Sequence, residues 1–174
     1  LGGAMGRVAD ATGIQFRRLN RSRGPAVQAT RCQSDSALYR EMMTDIVLCA
    51  SGIEVLEDEV VGFDIREGEL HGALLKVGGT VASRAVVVTT GTFMNGVCHV
   101  GDESFSGGRV GDAATSALSE ALKSLGLHLG RFKTGTTPRL HVDSIDWSSL
   151  EEQLGDEPRP NFSFEAVVSD LPQV

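Results

Sequence analysis

Three cations lie close together in the sequence GRFKTGTTPR, which spans residues 130–139. Arg131, Lys133 and Arg139 are interspersed there with two glycines and three threonines. Charged side chains attract an anion, threonine hydroxyls can donate hydrogen bonds to it, and glycine lets the backbone approach it closely. The stretch therefore predicts an anion-binding site, although the formal net charge of the whole chain is -7 at pH 7.

A second group of cations occupies the first part of the chain. Residues 1–31 contain six arginines, among them Arg23 and Arg31, and a single acid, whereas residues 140–174 contain eight acids and a single cation. This local excess predicts that phosphates are bound at one place, rather than a basic face that covers nucleic acid. The alternative is a solvated surface whose composition drifts along the chain.

Sulfur and imidazole side chains show no spacing typical of a metal centre or a disulfide framework. Cys32, Cys49 and Cys98 are far apart, and no two of the four histidines are four residues apart. The thiols therefore indicate a reducing compartment, and no metal is expected. No run of 18 apolar residues is present, so no membrane-spanning helix is expected. The sequence assigns no catalytic residue.

Two helices are predicted in the first 52 residues. The first ends at Gly13, and a short extended piece and an arginine-rich loop over residues 20–25 follow it. The second begins at Asp35 or Ser36, either of which can cap its N-terminus, and it ends at Gly52. Its apolar residues recur at helical spacing; they are Tyr39, Met43, Ile46, Val47 and Ala50.

Short antiparallel strands are predicted to follow the second helix. After a strand at residues 53–56, apolar and polar residues alternate over residues 59–65 and 69–76, and Val81 comes after a Gly-Gly turn. This pattern predicts a small β-meander.

The run RAVVVTTGTF, residues 84–93, is typical of a parallel strand that is buried on both faces. Thr89, Thr90 and Gly91 would then lie at its carboxyl end, where α/β sheets bind ligands. Together with the meander, this order of elements is that of flavoproteins that bind FAD. The alternative is an ordinary mixed α/β domain with a chance Thr-Gly pair.

A glycine-rich loop, residues 106–112, leads into a predicted helix that is closed by Gly126. Backbone N–H groups at such a junction can bind a phosphate. Asp112 is predicted as the helix N-cap, and in that role it would occupy those N–H groups itself. Thr115, on the first turn, would keep a hydroxyl available for a ligand.

Several short sequence motifs occur in this chain in a recognisable order. They are GPAV at 24–27, LYR at 38–40, GTF at 91–93, SGGR at 106–109, GD at 111–112, KTGT at 133–136 and FSF at 162–164. Over nearly the whole chain they resemble the GidA/MnmG family, the tRNA uridine 5-carboxymethylaminomethyl modification enzymes. The resemblance rests on the order and spacing of all these motifs, because each motif alone is common.

The resemblance implies an FAD-dependent enzyme that modifies carbon 5 of the wobble uridine in tRNA. It implies NADH as the electron source, methylenetetrahydrofolate as the one-carbon donor and a GTPase of the MnmE type as the partner. It further implies a homodimer within a heterotetramer, a cytoplasmic location and no membrane contact.

The same resemblance assigns roles to individual residues. Val60 falls where the family's backbone meets the adenine end of FAD, and Thr115 falls where the family usually has a serine in contact with FAD. The basic residues are expected to meet either tRNA phosphates or the flavin pocket; they are Arg23, Arg31, Arg131, Lys133 and Arg139. For these cations, neutralisation by neighbouring carboxylates such as Asp143 is the alternative.

The predicted fold class is α/β, part of a Rossmann-type FAD-binding domain with a small antiparallel meander and the start of an inserted region. Residues 1–139 are interpreted as the central part of the FAD-binding domain, without its pyrophosphate-binding N-terminus. Residues 140–174 are interpreted as an acidic, loop-rich region that leads into a second, inserted domain. On this interpretation the 174 residues alone are inactive.

Three other functions fit the same residues. A folate- and FAD-dependent tRNA methyltransferase relative would share the fold. A flavoprotein oxidoreductase for a small molecule would be indifferent to tRNA, and a noncatalytic binding module would keep the basic loops without flavin.

Overall fold

The structure is a computed structural model that describes residues 3–109, 111–135, 137–138, 140–165, 169 and 171–173. The chain forms two compact units, one made of Leu1–Val55 with Pro138–Val174 and the other of Leu56–Thr137. The predicted domain boundary between residues 139 and 140 concerns a different division of the chain and stays a prediction.

The first unit contains two helices and one antiparallel strand pair. Its elements are α1 (Ala4–Thr12), β1 (Gly13–Leu19), β2 (Ala29–Ser34) and α2 (Ser36–Leu48). The Asp35 carboxylate caps α2 by accepting hydrogen bonds from the N–H groups of Ala37 and Leu38, at 2.9 and 3.0 Å. Both predicted helices are therefore confirmed.

The pairing of β1 with β2 was not predicted, because only a brief extended piece was expected at its start. The two strands pair with Arg17 opposite Arg31 and Arg18 opposite Thr30. Arginines interrupt the apolar alternation that marks a strand in a sequence.

The carboxyl-terminal segment of the first unit packs against α1 and β1. Val8 and Phe16 form the core there, each only 1% exposed. The guanidinium of Arg159 lies 4.2 Å from the centre of the Phe16 ring, and the N–H of Asp156 donates to the Phe16 carbonyl at 2.8 Å. These contacts join residues that are some 140 positions apart in the sequence.

The second unit is built on a three-stranded antiparallel sheet. β3 (Val60–Arg66), β4 (Glu69–Leu75) and β5 (Thr80–Ala82) lie in that order, which confirms the predicted meander. The unit also contains the strand pair β6 (Val97–Val100) and β7 (Glu103–Ser106) and the helix α3 (Ala117–Ser124). α3 packs on β3.

Two predicted strands are not strands in the structure. Residues 53–56 and residues 84–93 contain no sheet ladder, and Val87 is 84% exposed. A valine-rich run lies inside a sheet only when other strands hydrogen-bond to both of its edges. No such neighbours accompany residues 84–93 in the part of the chain that the structure describes.

The start of α3 also differs from the prediction. Ser116, not Asp112, is the N-cap residue, and Asp112 forms an ion pair with Arg109 instead. Thr115 therefore precedes the helix. Farther along the chain, Trp147–Ser149 forms a single 3₁₀ turn.

Within the described residues, none of the helices has both the length and the apolar character that crossing a bilayer requires. In the same part of the chain, no three His, Cys, Asp or Glu side chains come together in a way that could hold a metal ion.

Candidate functional site

A cavity of about 360 Å³ lies in the second unit, beside the first strand of the meander. Val60, Thr89, Thr90 and Thr115 all line it. These are four of the five residues predicted to bind a cofactor; Gly91 is not part of the lining. Residues from three separate stretches of sequence therefore meet at one place, although the strand expected to carry Thr89 and Thr90 is absent.

The backbone of Val60 faces away from the sheet. β3 is an edge strand, and Val60 lies opposite Leu75 in β4. The Leu75 N–H donates to the Gly79 carbonyl, however, and the Lys76 N–H donates to the Glu59 carbonyl at 2.9 Å. In antiparallel sheets, residues with and without hydrogen bonds to the partner strand alternate. The N–H and C=O of Val60 therefore point toward the open edge of β3.

Two carboxylates stand next to Val60, and both have partners. Asp58 accepts hydrogen bonds from the N–H groups of Gly78 and Glu59, each at 2.7 Å, and Glu59 forms an ion pair with Lys76 at 2.7 Å. The hydrogen bond from Gly78 is the largest cause that lowers the pKa of Asp58 below its ordinary value of 3.8. Asp58 thus braces the turn between β4 and β5 and is not poised as an acid or base.

The hydrogen bonds to the Asp58 carboxylate make the turn between β4 and β5 sensitive to acid. Because the pKa of Asp58 is lowered in the folded chain, its stabilising contribution is present above pH 3.8 and is lost as the pH falls through the folded value. We expect the Gly78 amide resonance to titrate with a midpoint below 3.8 and to become pH-independent in Asp58→Asn. A midpoint at or above 3.8 in the unsubstituted chain would contradict this assignment.

Thr115 is held at the cavity by its backbone. Its N–H donates to the Phe93 carbonyl at 3.0 Å, and its carbonyl accepts from the Asn95 N–H at 2.8 Å. A parallel bridge to Met94 completes this contact. The side-chain hydroxyl makes no hydrogen bond within the described residues, so it is available to a ligand in the cavity.

The glycine-rich loop does not form a phosphate cradle. The N–H of Gly107 donates to the Gly96 carbonyl at 3.0 Å, and the N–H of Gly108 donates to the Asp112 carbonyl at 3.2 Å. The Asp112 N–H donates in turn to the carbonyl of Arg109. Three of the backbone donors that could bind a phosphate are therefore already bonded to protein carbonyls, two of them within the loop.

The predicted anion-binding cations have different surroundings. Arg131 donates a hydrogen bond to the Asn95 carbonyl at 3.1 Å. Arg23, Arg31 and Lys133 are exposed, and none of them forms an ion pair within the described residues. Arg139 lies outside the described residues.

The alternative of neutralisation by nearby acids is not seen for these three cations. Asp143, the carboxylate named for that role, contacts His141 at 3.4 Å. Exposed cations that have no acidic partner among the described residues are free to meet an external anion, and anion binding by these side chains stays a prediction.

Sequence reasoning missed part of the cavity wall. Phe63, Phe93 and Leu118 also line the cavity and give it apolar surfaces. The signal for Phe93 was present, since it lies two residues after the Thr90-Gly91 pair. Nothing in the sequence indicates that α3 brings Leu118 to the same place.

The described residues form an α/β protein with a cavity at the edge of an antiparallel meander. The family model described as "Glucose inhibited division protein A" matches residues 1–174. The chain therefore belongs to the glucose inhibited division protein A (GidA) family.

Individual relatives agree with this assignment. A protein of Wolinella succinogenes named tRNA uridine 5-carboxymethylaminomethyl modification enzyme MnmG is 46% identical over 94% of this chain and 26% of its own length. A protein of the same name from Geobacter sulfurreducens is 45% identical over 100% of this chain and 28% of its own length. The chain thus spans about a quarter of the length of these curated relatives.

A solved structure shares the fold. The crystal structure of Aquifex aeolicus GidA superimposes with a TM-score of 0.86 at 40% identity, covering 100% of this chain and 30% of the other. This similarity confirms the predicted α/β class with its small antiparallel sheets.

Proposed function

We propose that this protein modifies carbon 5 of the wobble uridine in tRNA, as an FAD-dependent enzyme of the carboxymethylaminomethyl type. Membership of the GidA family and the names of the relatives support the reaction. The main support for FAD binding is that Val60, Thr89, Thr90 and Thr115 line one cavity.

The cavity suits one end of a dinucleotide. Its volume of about 360 Å³ falls at the lower end of the range of small-molecule sites, so it fits a nucleoside better than the whole of FAD. Apolar walls suit a planar base, and the outward-facing N–H and C=O of Val60 offer one donor and one acceptor to its edge. Thr115 adds a hydroxyl. When bound, FAD would supply the redox chemistry of the reaction.

The further participants follow from the same proposal. NADH provides the electrons, methylenetetrahydrofolate provides the one-carbon unit, and a GTPase of the MnmE type acts as partner to a homodimer within a heterotetramer. The reaction takes place in the cytoplasm. The chain's own contribution is to hold the nucleotide end of FAD and to offer cations to the tRNA.

The β1–β2 pair supports contact with a polyanion. Five arginines and no acid lie between residues 14 and 34. Asp156 pairs with Arg21 at 2.5 Å, while Arg23 and Arg31 keep exposed, unpaired guanidinium groups. Arg31 also lies directly opposite Arg17, and like charges placed so are unfavourable until an anion binds between them.

Removing two of these charges is expected to weaken tRNA binding and to reduce its dependence on salt. For a double variant, Arg23→Gln with Arg31→Gln, we expect the slope of log K against log salt to fall in magnitude by roughly 1 to 2, because each lost phosphate contact removes about 0.7 to 0.9. Filter binding or fluorescence anisotropy with unmodified tRNA at several salt concentrations measures the slope.

The control is Arg66→Gln, which removes an exposed cation that is already paired with Asp64 at 2.7 Å. Its slope should match that of the unsubstituted protein. Equal slopes for the control and the double variant would show that the β1–β2 arginines do not meet the tRNA.

One experiment tests the proposed function as a whole. The full-length protein is purified, its flavin absorbance is recorded, and it is incubated with tRNA, NADH, methylenetetrahydrofolate, GTP and the partner GTPase. Carboxymethylaminomethyluridine in the digested tRNA is the expected product. 5-Methyluridine would indicate the methyltransferase relative, NADH oxidation independent of tRNA a small-molecule oxidoreductase, and protein without flavin a binding module.

A further inference from the structure

The aromatic ring of Phe93 stands between the cavity and a glycine. Phe93 lines the cavity, whereas Gly108 does not. A Cβ atom added to Gly108 would overlap the Cγ, Cδ1 and Cε1 atoms of the Phe93 ring. The ring therefore lies directly against the Gly108 backbone, and a side chain at position 108 would force it to move.

The backbone around Phe93 is fixed on both sides. Its carbonyl accepts a hydrogen bond from the Thr115 N–H at 3.0 Å, and the hydroxyl of Thr92 donates to the Gly108 carbonyl at 3.1 Å. Gly96 packs so closely on the Gly107 carbonyl that it has no room for a Cβ atom. Because these contacts anchor the chain, a side chain at position 108 would displace the ring by rotating it away from Gly108.

We propose that Phe93 is the wall on which the adenine base of the dinucleotide packs, and that Gly108 is a positioning residue that sets the place of its ring. A base gains affinity by stacking on an aromatic side chain. The Val60 backbone, on the same cavity, offers the hydrogen bonds to the edge of that base. This inference rests on the proposed function, because it takes the ligand to be FAD.

The test measures the affinity of FAD and of ADP for the flavin-free full-length protein. ADP carries the adenine end without the flavin. In Gly108→Ala we expect both dissociation constants to rise by about 10-fold, as loss of one base stack predicts. The matched control is Gly3→Ala, the same substitution at a glycine whose added Cβ would meet open space, and it should bind both ligands as the unsubstituted protein does.

Phe93→Leu distinguishes positioning from general damage to the fold. This substitution removes the ring and should weaken both ligands by about 10-fold on its own. When Gly108→Ala is added to Phe93→Leu, the dissociation constants should change by less than about 2-fold, because the clashing ring is gone. A purely structural defect would add its full effect in both backgrounds.

Each outcome decides between the proposals. If Gly108→Ala binds FAD as tightly as the Gly3→Ala control, or if its effect is undiminished by Phe93→Leu, the inference is overturned while the proposed function stands. Weakened FAD with unchanged ADP overturns the assignment to adenine. If the unsubstituted protein binds neither FAD nor ADP, the proposed flavin function itself has failed, and the inference falls with it.

Discussion

Replacing Asp10 by alanine is expected to release the carboxyl-terminal segment of the first unit and to lower the free energy of its local unfolding by about 3 kcal/mol. Asp10 is fully buried at 0% exposure. Its carboxylate accepts hydrogen bonds from the Phe162 and Ser163 N–H groups, both at 2.8 Å, and from the Ser163 hydroxyl at 2.7 Å.

The size of the effect follows from what the substitution leaves behind. Alanine would remove the acceptor of three hydrogen bonds and leave two backbone donors without a partner in a partly buried place, while the Ser163 hydroxyl could still donate to the Glu165 carbonyl at 2.8 Å. Each such group costs about 1 to 3 kcal/mol. The estimate of about 3 kcal/mol lies at the lower end of the sum, because a released segment can find water instead.

Hydrogen exchange in the full-length protein measures this directly. We expect protection of the Phe162 and Ser163 amides to fall by about 100-fold in Asp10→Ala, since every 1.4 kcal/mol corresponds to a factor of ten. Asp102→Ala, the same change at an exposed turn residue, should leave both amides protected. Unchanged protection in Asp10→Ala would mean that the segment is held by other contacts, such as Arg159 on Phe16.

The contacts of Asp10 with Phe162 and Ser163 also show why part of this fold could be predicted from the sequence and part could not. The α2 cap at Asp35 and the meander depend on neighbours in the sequence, and both were predicted correctly. Ser163 is 153 residues away from Asp10, and no local sequence pattern predicts their contact. The sequence word FSF is thereby explained in part: the serine binds the buried carboxylate of α1.

At the candidate site, too, local features could be predicted from the sequence and contacts between distant residues could not. The position of Val60 at the edge of a meander could be predicted, because alternation marks β3 and its place in the order marks it as an edge. The strand predicted for residues 84–93 was wrong, because a valine run reveals a preference for burial but not whether neighbouring strands exist. Thr89 and Thr90 nevertheless reach the cavity. The fit of Phe93 on Gly108 could not be predicted, since it depends on the tertiary fold.

Replacing Val60 by proline is expected to weaken FAD binding by about 10- to 100-fold while the meander stays folded. Proline removes the N–H group, and the lost bond would leave a polar atom of the bound adenine without its donor. We infer that the ladder to β4 does not use this N–H, because the adjacent Glu59 carbonyl accepts from Lys76 and the Leu75 N–H donates to Gly79, on the other side of β4. Proline is also tolerated at the first residue of an edge strand. Fluorescence titration of the flavin-free full-length protein gives the dissociation constant.

Two companion variants separate the N–H from the side chain and from the fold. Val60→Ala keeps the N–H and should stay within a few-fold of the unsubstituted affinity, because only part of one apolar wall is lost. In Gly62→Pro, by contrast, the missing N–H is one that points toward β4, because Gly62 lies opposite Leu74, which faces β3 as Lys76 does. The meander itself should therefore open. If Val60→Pro binds FAD normally, the Val60 N–H does not contact the nucleotide. If it unfolds the meander as Gly62→Pro does, the outward direction inferred for the Val60 backbone is wrong, and with it the reason for placing adenine at this edge.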